Sequence, residues 1–175
     1  MEDQFWKKGD DGVKLCAVYY SRSGSTKEIA ESFSDSIGAE LFKLEEKKPL
    51  KSISGLYALL GLGSPLKEPL PDIGSFEFLV LLTPIYAWHP SPQMNTFVNN
   101  ADLKGKSVFL VGVGAGETNE KALKRFSAKA EKAGAKVVGT KNFKGLQIKQ
   151  DLKEVKSNLI ESGKQLAGII ERFVQ

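Results

Sequence analysis

The chain has little cysteine, little histidine and no long hydrophobic run, and these shortages exclude several classes of protein. Its 175 residues include one cysteine, so no disulfide can form within the chain and a reducing compartment is expected. No stretch of about 18 consecutive apolar residues is present, which argues against a membrane-spanning helix. The first residues also lack the basic and then apolar order of a secretion signal. We therefore expect a cytoplasmic protein.

The charge is basic but spread along the chain. The formal net charge is +4 and the isoelectric point is about 9.0, while 41% of the residues are hydrophobic and 26% are charged, as in soluble globular proteins. The lysines at 121–136 and 141–164 alternate with glutamates at positions expected on helix faces. We expect no arginine-rich tract or exposed aromatic platform beside them. The sequence therefore predicts no nucleic-acid partner.

Five apolar segments have the length of strands, and helical patterns separate them. The predicted strands are 15–20, 39–44, 78–82, 107–113 and 136–140. This alternation predicts an α/β fold, a doubly wound parallel sheet with helices on both faces. We expect residues 1–12 to form a tail and residues 13–175 to form a single domain. Within it, the stretch 49–71 is rich in glycine and proline and is predicted to be a connection.

A hydroxyl-rich loop follows the first predicted strand and leads directly into a helix. It contains Ser21, Arg22, Ser23, Gly24, Ser25 and Thr26. Hydroxyls, a guanidinium and the amides at a helix N-terminus all donate hydrogen bonds to phosphate oxygens. The loop therefore predicts a phosphate site. Ser25 and Glu28 also fit a capping box at the start of that helix. The alternative is an ordinary capped turn with no ligand, since serine and threonine are favoured at N-caps.

Two other phosphate-handling motifs fit the chain poorly. The Gly-Lys pairs at 105–106 and 163–164 lack the upstream glycine of a P-loop, which excludes a P-loop nucleotidase. Cys16 precedes Arg22 and Ser23 at the spacing of a tyrosine phosphatase loop. However, Cys16 lies in the middle of a predicted strand, where a thiol is normally buried and inert. We therefore disfavour the phosphatase interpretation.

Two further loops follow the third and fourth predicted strands. The first has Thr83, Pro84, Ile85, Tyr86, Ala87 and Trp88; the second has Gly112, Gly114, Ala115, Gly116 and Glu117. Glycines allow a backbone to approach a flat ligand closely. In a doubly wound sheet, ligands bind outside the carboxyl ends of the strands where the strand order reverses. The three loops together would suit a ligand with a phosphate tail and a planar head.

With these three loops, the sequence resembles the flavodoxin family. Residues 21–26 are similar to its phosphate signature, and residues 83–86 with Ser91-Pro92 look like its second flavin loop. The resemblance covers about residues 13–173. It implies five strands in the order 2-1-3-4-5, with FMN at the edges of strands one, three and four and no need for a metal.

The resemblance also implies a role for each loop. Residues 21–26 would hold the ribityl phosphate, and Thr83 with the backbone from 84 to 88 would border the isoalloxazine. Tyr86 or Trp88 would stack on the ring. The amides of residues 114–117, next to Gly112, would meet its pyrimidine edge.

Three functions remain open within this resemblance. The second loop has no glycine, so positive φ there would cost on the order of 1 kcal/mol more, which favours two-electron chemistry. The third loop has no aromatic residue, which leaves one flavin face open to a small quinone-like acceptor. The chain is basic, whereas carrier flavodoxins are usually acidic, but it has no second domain for NAD(P)H. We favour electron transfer between protein partners, with NAD(P)H-dependent quinone-type reduction as the alternative and a docking module as the third. The oligomeric state is left open.

Overall fold

The structure is a computed structural model that describes residues 12–47, 57, 60, 62–116, 118–147 and 150–174. The predicted tail at 1–12 lies outside the described residues except for Gly12, and so does Glu117 of the third loop. The predicted connection at 49–71 is described only in part. None of the described helices is long and apolar enough to cross a membrane.

The described strands form one sheet whose five long members run parallel. In chain order they are β1 (Leu15–Tyr19), β2 (Glu40–Lys43), β3 (Phe78–Tyr86), β4 (His89–Pro90), β5 (Ser107–Gly114) and β6 (Lys136–Lys144). The sheet order is β2-β1-β3-β5-β6, and the short β4 pairs antiparallel with the end of β3. The short β4 was not predicted. When the five parallel strands are numbered without it, their order is 2-1-3-4-5, which confirms the predicted order.

Helices cover both faces of the sheet. They are α1 (Ser25–Ile37), α2 (Pro92–Asn100), α3 (Glu120–Lys132) and α4 (Leu152–Val174). Core residues of α1 and α4 pack on one face with Val80 and Leu82, and those of α2 and α3 pack on the other with Leu79 and Leu81. All four of these β3 residues are fully buried. Burial on both faces explains why the central strands are continuously apolar.

Strand β3 is longer than the sequence predicted. We expected a strand at 78–82 and a loop from Thr83, but pairing with β5 continues through Thr83 and Pro84. The strand tolerates Pro84 because its pairing with β1 ends at Leu82, so the missing N–H faces no partner on that side. The predicted fifth strand at 136–140 also continues, to Lys144.

Helices α1 and α4 approach closely at Gly163. A Cβ added there would lie 2.6 Å from the carbonyl oxygen of Ile29 and 2.8 Å from the amide nitrogen of Phe33. These are backbone atoms, so a side chain at residue 163 can be accommodated only if the helices move apart.

Replacing Gly163 with alanine should therefore lower the free energy of unfolding by about 1–3 kcal/mol. Gly168 on the same helix is the matched control, since an added Cβ there meets no atom within 4 Å. Gly168→Ala should instead raise the free energy of unfolding by up to about 1 kcal/mol through helix propensity. Urea unfolding of the two variants measures both effects, and equal effects would contradict the close contact.

Candidate functional site

The loop between β1 and α1 turns at Gly24. This residue is the N-cap of α1 and has φ 96°, a left-handed conformation that favours glycine. Its amide donates to Ser21 Oγ at 3.2 Å. A Cβ at Gly24 would also lie 2.6 Å from the Leu152 side chain. The turn therefore favours glycine, whereas the Leu152 side chain could move to accept a larger residue.

The predicted capping box at the start of α1 is wrong. No side chain caps the helix, and Ser25 is its first residue rather than its N-cap. Ser25 Oγ instead accepts the Leu146 amide at 3.0 Å, and Glu28 pairs with Lys156 at 3.3 Å. The capping box failed because both side chains have partners elsewhere in the fold.

Helix α2 shows what a capped start looks like in the same protein. Its N-cap Ser91 accepts the amide of Met94 at 3.2 Å. At α1, by contrast, the first-turn amides have neither an intrahelical acceptor nor a side-chain cap. Those amides and the positive end of the helix dipole remain available to an anion.

The predicted phosphate ligands differ in exposure. Arg22 and Ser23 are exposed and Ser21 is half-buried, whereas Ser25 and Thr26 are buried at 3% and 2% exposure. The buried pair, Ser25 and Thr26, forms the start of α1. The exposed residues form the outer rim of the loop.

The end of β3 and β4 form a hairpin rather than the irregular loop we predicted. Tyr86 pairs with His89, and the two turn residues Ala87 and Trp88 have φ 47° and 62°. Two-residue hairpin turns favour positive φ at both positions, since this twist matches that of the strands. The sequence analysis expected positive φ to be costly in this glycine-free segment, and both turn residues nevertheless adopt it. The turn is held in a conformation that costs non-glycine residues roughly 1–2 kcal/mol each.

Helix α3 holds this strained turn. Arg125 Nη1 donates to the Trp88 carbonyl oxygen at 3.0 Å and lies 2.7 Å from His89 Nε2. Because arginine can only donate, His89 Nε2 accepts and the ring proton resides on Nδ1. Lys121 Nζ lies 5.9 Å from the centre of the Trp88 ring, a cation–π contact. The turn is thus fixed by contacts from one neighbouring helix.

The base of the hairpin is fixed by Thr83. Its Oγ1 accepts the Ser91 amide at 3.0 Å and lies 3.0 Å from Ser91 Oγ, and both side chains are fully buried. Since Ser91 caps α2, one short chain of hydrogen bonds joins β3, the hairpin and α2. The predicted contact of Thr83 with a ligand stays a prediction.

The third loop is braced by residues that follow β6. The carbonyl oxygens of Gly114 and Ala115 accept from Gly145 N at 2.9 Å and from Gln147 Nε2 at 2.8 Å. In a trans peptide the N–H points opposite to the C=O, so the amides of Ala115 and Gly116 point away from these partners. This orientation leaves both amides free of the bracing contacts.

The structure adds three polar residues that the sequence analysis missed. Tyr20 donates to Glu46 Oε1 at 2.6 Å, and Gln93 Nε2 donates to the same oxygen. Burial and then this hydrogen bond raise the pKa of Tyr20. Gln93 Oε1 is buried without a partner among the described residues. No motif could have revealed this cluster, because it joins positions up to 73 residues apart in the chain.

This cluster lies beside both predicted ligand loops. Burial raises the pKa of the Tyr86 hydroxyl, the nearby charge of Arg22 opposes that rise, and Glu46 adds to it. Arg22 belongs to the phosphate loop and Tyr86 to the hairpin. Because β1 and β3 pair in parallel, the two loops that follow them leave the same edge of the sheet.

Cys16 is fully buried on β1, as the sequence predicted. Burial, and then the charge of Glu40, raises the pKa of its thiol to about 12. A nucleophilic cysteine needs a lowered pKa and access to substrate. The phosphatase interpretation therefore fails on both counts.

No protein-family model matches this sequence, and no curated protein matches it. Solved structures match most of its length. A candidate flavoprotein of Bacteroides uniformis has a TM-score of 0.69 at 16% identity, over 89% of this chain and 98% of that chain. A flavoprotein of Lactobacillus acidophilus in complex with FMN has a TM-score of 0.65 at 19% identity, over 83% and 97%. Oxidised flavodoxin 2 of Bacillus cereus has a TM-score of 0.53 at 19% identity, over 89% and 95%.

The chain has the flavodoxin fold. At identities of 16–19% these structures establish the arrangement of strands and helices. They agree with the sheet order and the two-sided helix packing described above. In this flavodoxin-like chain, the uncapped start of α1 and the strained hairpin follow the adjacent parallel strands β1 and β3.

The contact between His89 and Arg125 predicts how stability depends on pH. Burial, followed by the charges of Arg125, Lys129 and Lys121, lowers the pKa of His89 below 6.5. His89 takes up a proton near pH 6.5 in the unfolded chain, and only at a lower pH in the folded chain. Stability should therefore fall as the pH decreases through this window, and His89→Gln should remove that part of the loss. Urea unfolding between about pH 7.5 and pH 5 measures the difference.

His89 is the only histidine of the chain, so NMR can follow its titration alone. A pKa at or above about 6.5 in the folded protein would contradict neutral pairing with Arg125.

Proposed function

We propose that this protein binds FMN and transfers electrons, with the phosphate of FMN at the start of α1. The observation that carries the proposal is the uncapped first turn behind Gly24, next to the hydroxyls of Ser21 and Ser23. An ordinary capped turn would use those amides internally, as Ser91 does for α2. The flavodoxin fold supports the same ligand, since the Lactobacillus acidophilus structure with this fold contains FMN.

The remaining loops suit the planar part of FMN. The amides of Ala115 and Gly116 point away from their bracing contacts and would meet the polar edge of the ring. Of the two aromatic candidates, Tyr86 lies within range of the phosphate loop, since burial raises the pKa of its hydroxyl and the charge of Arg22 in that loop opposes the rise. Trp88 instead contacts Lys121 of α3. We therefore assign stacking on the flavin to Tyr86.

Bound FMN would supply the redox chemistry, since flavins exchange electrons singly or in pairs. This chain's own residues would bind the phosphate, orient the ring and limit access of water. We favour electron transfer to a protein partner, because the hairpin beside the proposed flavin exposes Trp88 and the neighbouring α3 places Lys121 and Arg125 next to it. Two-electron reduction of a quinone-like acceptor is the alternative.

The phosphate site predicts a large difference between two flavins. FMN should bind much more tightly than riboflavin, since charge-assisted hydrogen bonds and the helix dipole act only on the phosphate. Replacing Ser23 and Thr26 together with alanine should weaken FMN binding by about 2–4 kcal/mol and leave riboflavin binding unchanged. Titration with quenching of flavin fluorescence measures all of these affinities.

Ser36→Ala is the matched control, because Ser36 lies at the opposite end of the same helix and bonds only to the Ser32 carbonyl in the described structure. It should change neither affinity. Equal affinities of FMN and riboflavin for the unmodified protein would overturn the phosphate site.

A kinetic comparison separates the carrier from the reductase. If the protein is a carrier, its reduced, FMN-loaded form should pass electrons to a haem protein. It should not catalyse the oxidation of NADH or NADPH by a quinone any faster than free FMN does. Steady-state absorbance at the nicotinamide band measures this rate. Rapid turnover with either nucleotide and a quinone would instead establish the alternative.

A further inference from the structure

Four of the five basic residues of α3 lie on one side of the helix, and the fifth, Lys124, lies towards the two glutamates. Lys121, Arg125, Lys129 and Lys132 are spaced by four, four and three positions, which places them along one helix face. The two glutamates of α3, at positions 120 and 131, lie about a quarter turn away from Lys121 at 100° per residue. We call these four basic residues, together with Trp88, the basic face.

Helix stability explains only part of this arrangement. Cations in the last turn, such as Lys132, are favoured by the helix dipole, but Lys121 in the first turn is disfavoured. Like charges four residues apart, such as Lys121 and Arg125, also destabilise a helix by a few tenths of a kcal/mol. The ion pairs among the described residues involve other cations, so no carboxylate there neutralises Lys121 or Arg125.

Trp88 adds an exposed apolar side chain to the basic face. Its side chain is 62% exposed, although large aromatic side chains are usually buried. The strained turn, the Arg125 bond to its carbonyl oxygen and the cation–π contact with Lys121 hold it in place. Tryptophan and arginine are the residue types most enriched at the energetic centres of protein interfaces. The sequence analysis expected no exposed aromatic platform beside these lysines, and the structure corrects that expectation.

The size of the basic face indicates what would cover it. Residues 121 and 132 are 11 positions apart, so the face runs about 16 Å along the helix. A single phosphate group is too small to contact both ends. Electron-transfer complexes bury small interfaces, below about 1,200 Å² in total, which is the scale of one helix face and one hairpin.

We propose that the basic face is the docking surface for an electron-transfer protein whose own surface carries carboxylates around an apolar centre. The inference rests on the proposed function, because the hairpin that carries Trp88 also carries Tyr86 next to the proposed flavin. Carboxylates of the partner would pair with Lys121 and Lys132 at the rim. Trp88 would fill the apolar centre. This arrangement would bring the partner's redox group to the edge of the sheet where FMN is proposed to bind.

The test compares two forms of one redox protein with opposite charge. Native cytochrome c is basic, and cytochrome c with succinylated lysines is acidic, while both carry the same haem. The reduced, FMN-loaded protein should reduce the succinylated form faster than the native form at low ionic strength. That rate should fall as salt is added, because screening weakens attraction between exposed charges.

A pair of charge reversals locates the surface. Lys121→Glu with Lys132→Glu should slow reduction of succinylated cytochrome c about tenfold at low salt and should speed reduction of the native form. The bond from Arg125 to the Trp88 carbonyl oxygen is kept in this variant, while the cation–π contact of Lys121 with Trp88 is lost. The control is Lys104→Glu with Lys136→Glu, at exposed positions beside the amino ends of β5 and β6. Both variants lower the net charge from +4 to 0, since each of the two substitutions changes it by two. Equal slowing by both variants would overturn the proposal.

An NMR titration with succinylated cytochrome c separates failure of this surface from failure of the FMN site. Binding at the basic face should shift the indole N–H signal of Trp88 and amide signals of α3 even if no flavin is bound. Shifts confined to other parts of the chain would overturn the docking surface while leaving the FMN proposal intact. Absence of FMN binding together with shifts at Trp88 and α3 would overturn only the proposed function.

Discussion

Burial of the three central strands on both faces is the constraint on which this structure depends. The middle of each of these strands is fully buried: residues 16–18 of β1, 79–82 of β3, and 108 and 110–111 of β5. Almost no polar side chain can therefore reside within the sheet. Polar groups can therefore gather only where the strands end. Because the strands are parallel, their carboxyl ends meet at one edge. Tyr20, the hydroxyl loop and the Thr83–Ser91 pair all lie at or near that edge.

Much of the fold could be predicted from the sequence, since it follows from local patterns. Apolar runs gave the central strands, and their alternation with helical segments gave the parallel sheet and its two helical layers. The loop at residues 21–26 was also found locally, because its hydroxyls and glycine precede a helix directly. The bounds of β3 were missed, since proline at position 84 normally argues against a strand and only its place beyond β1 permits it.

The partners of the polar side chains could not be predicted, because they lie far away in the sequence. Ser25 binds Leu146 across 121 positions, Arg125 binds Trp88 across 37, and Gln93 binds Glu46 across 47. A hydroxyl that serves the fold and one that serves a ligand look the same in a sequence. The turn at Ala87 and Trp88 was missed for a different reason. It lacks the Asn-Gly or Asp-Gly signature and depends instead on α3.

The burial of Cys16 bears on how such a protein would tolerate oxygen. Reduced flavins react with oxygen to give peroxide, which oxidises cysteine through the thiolate. Because burial raises the pKa of this thiol to about 12, it stays protonated at neutral pH. The side chain is also fully enclosed by the sheet and its helices. Under the proposed function, the single sulfhydryl lies out of reach of peroxide formed at the bound flavin.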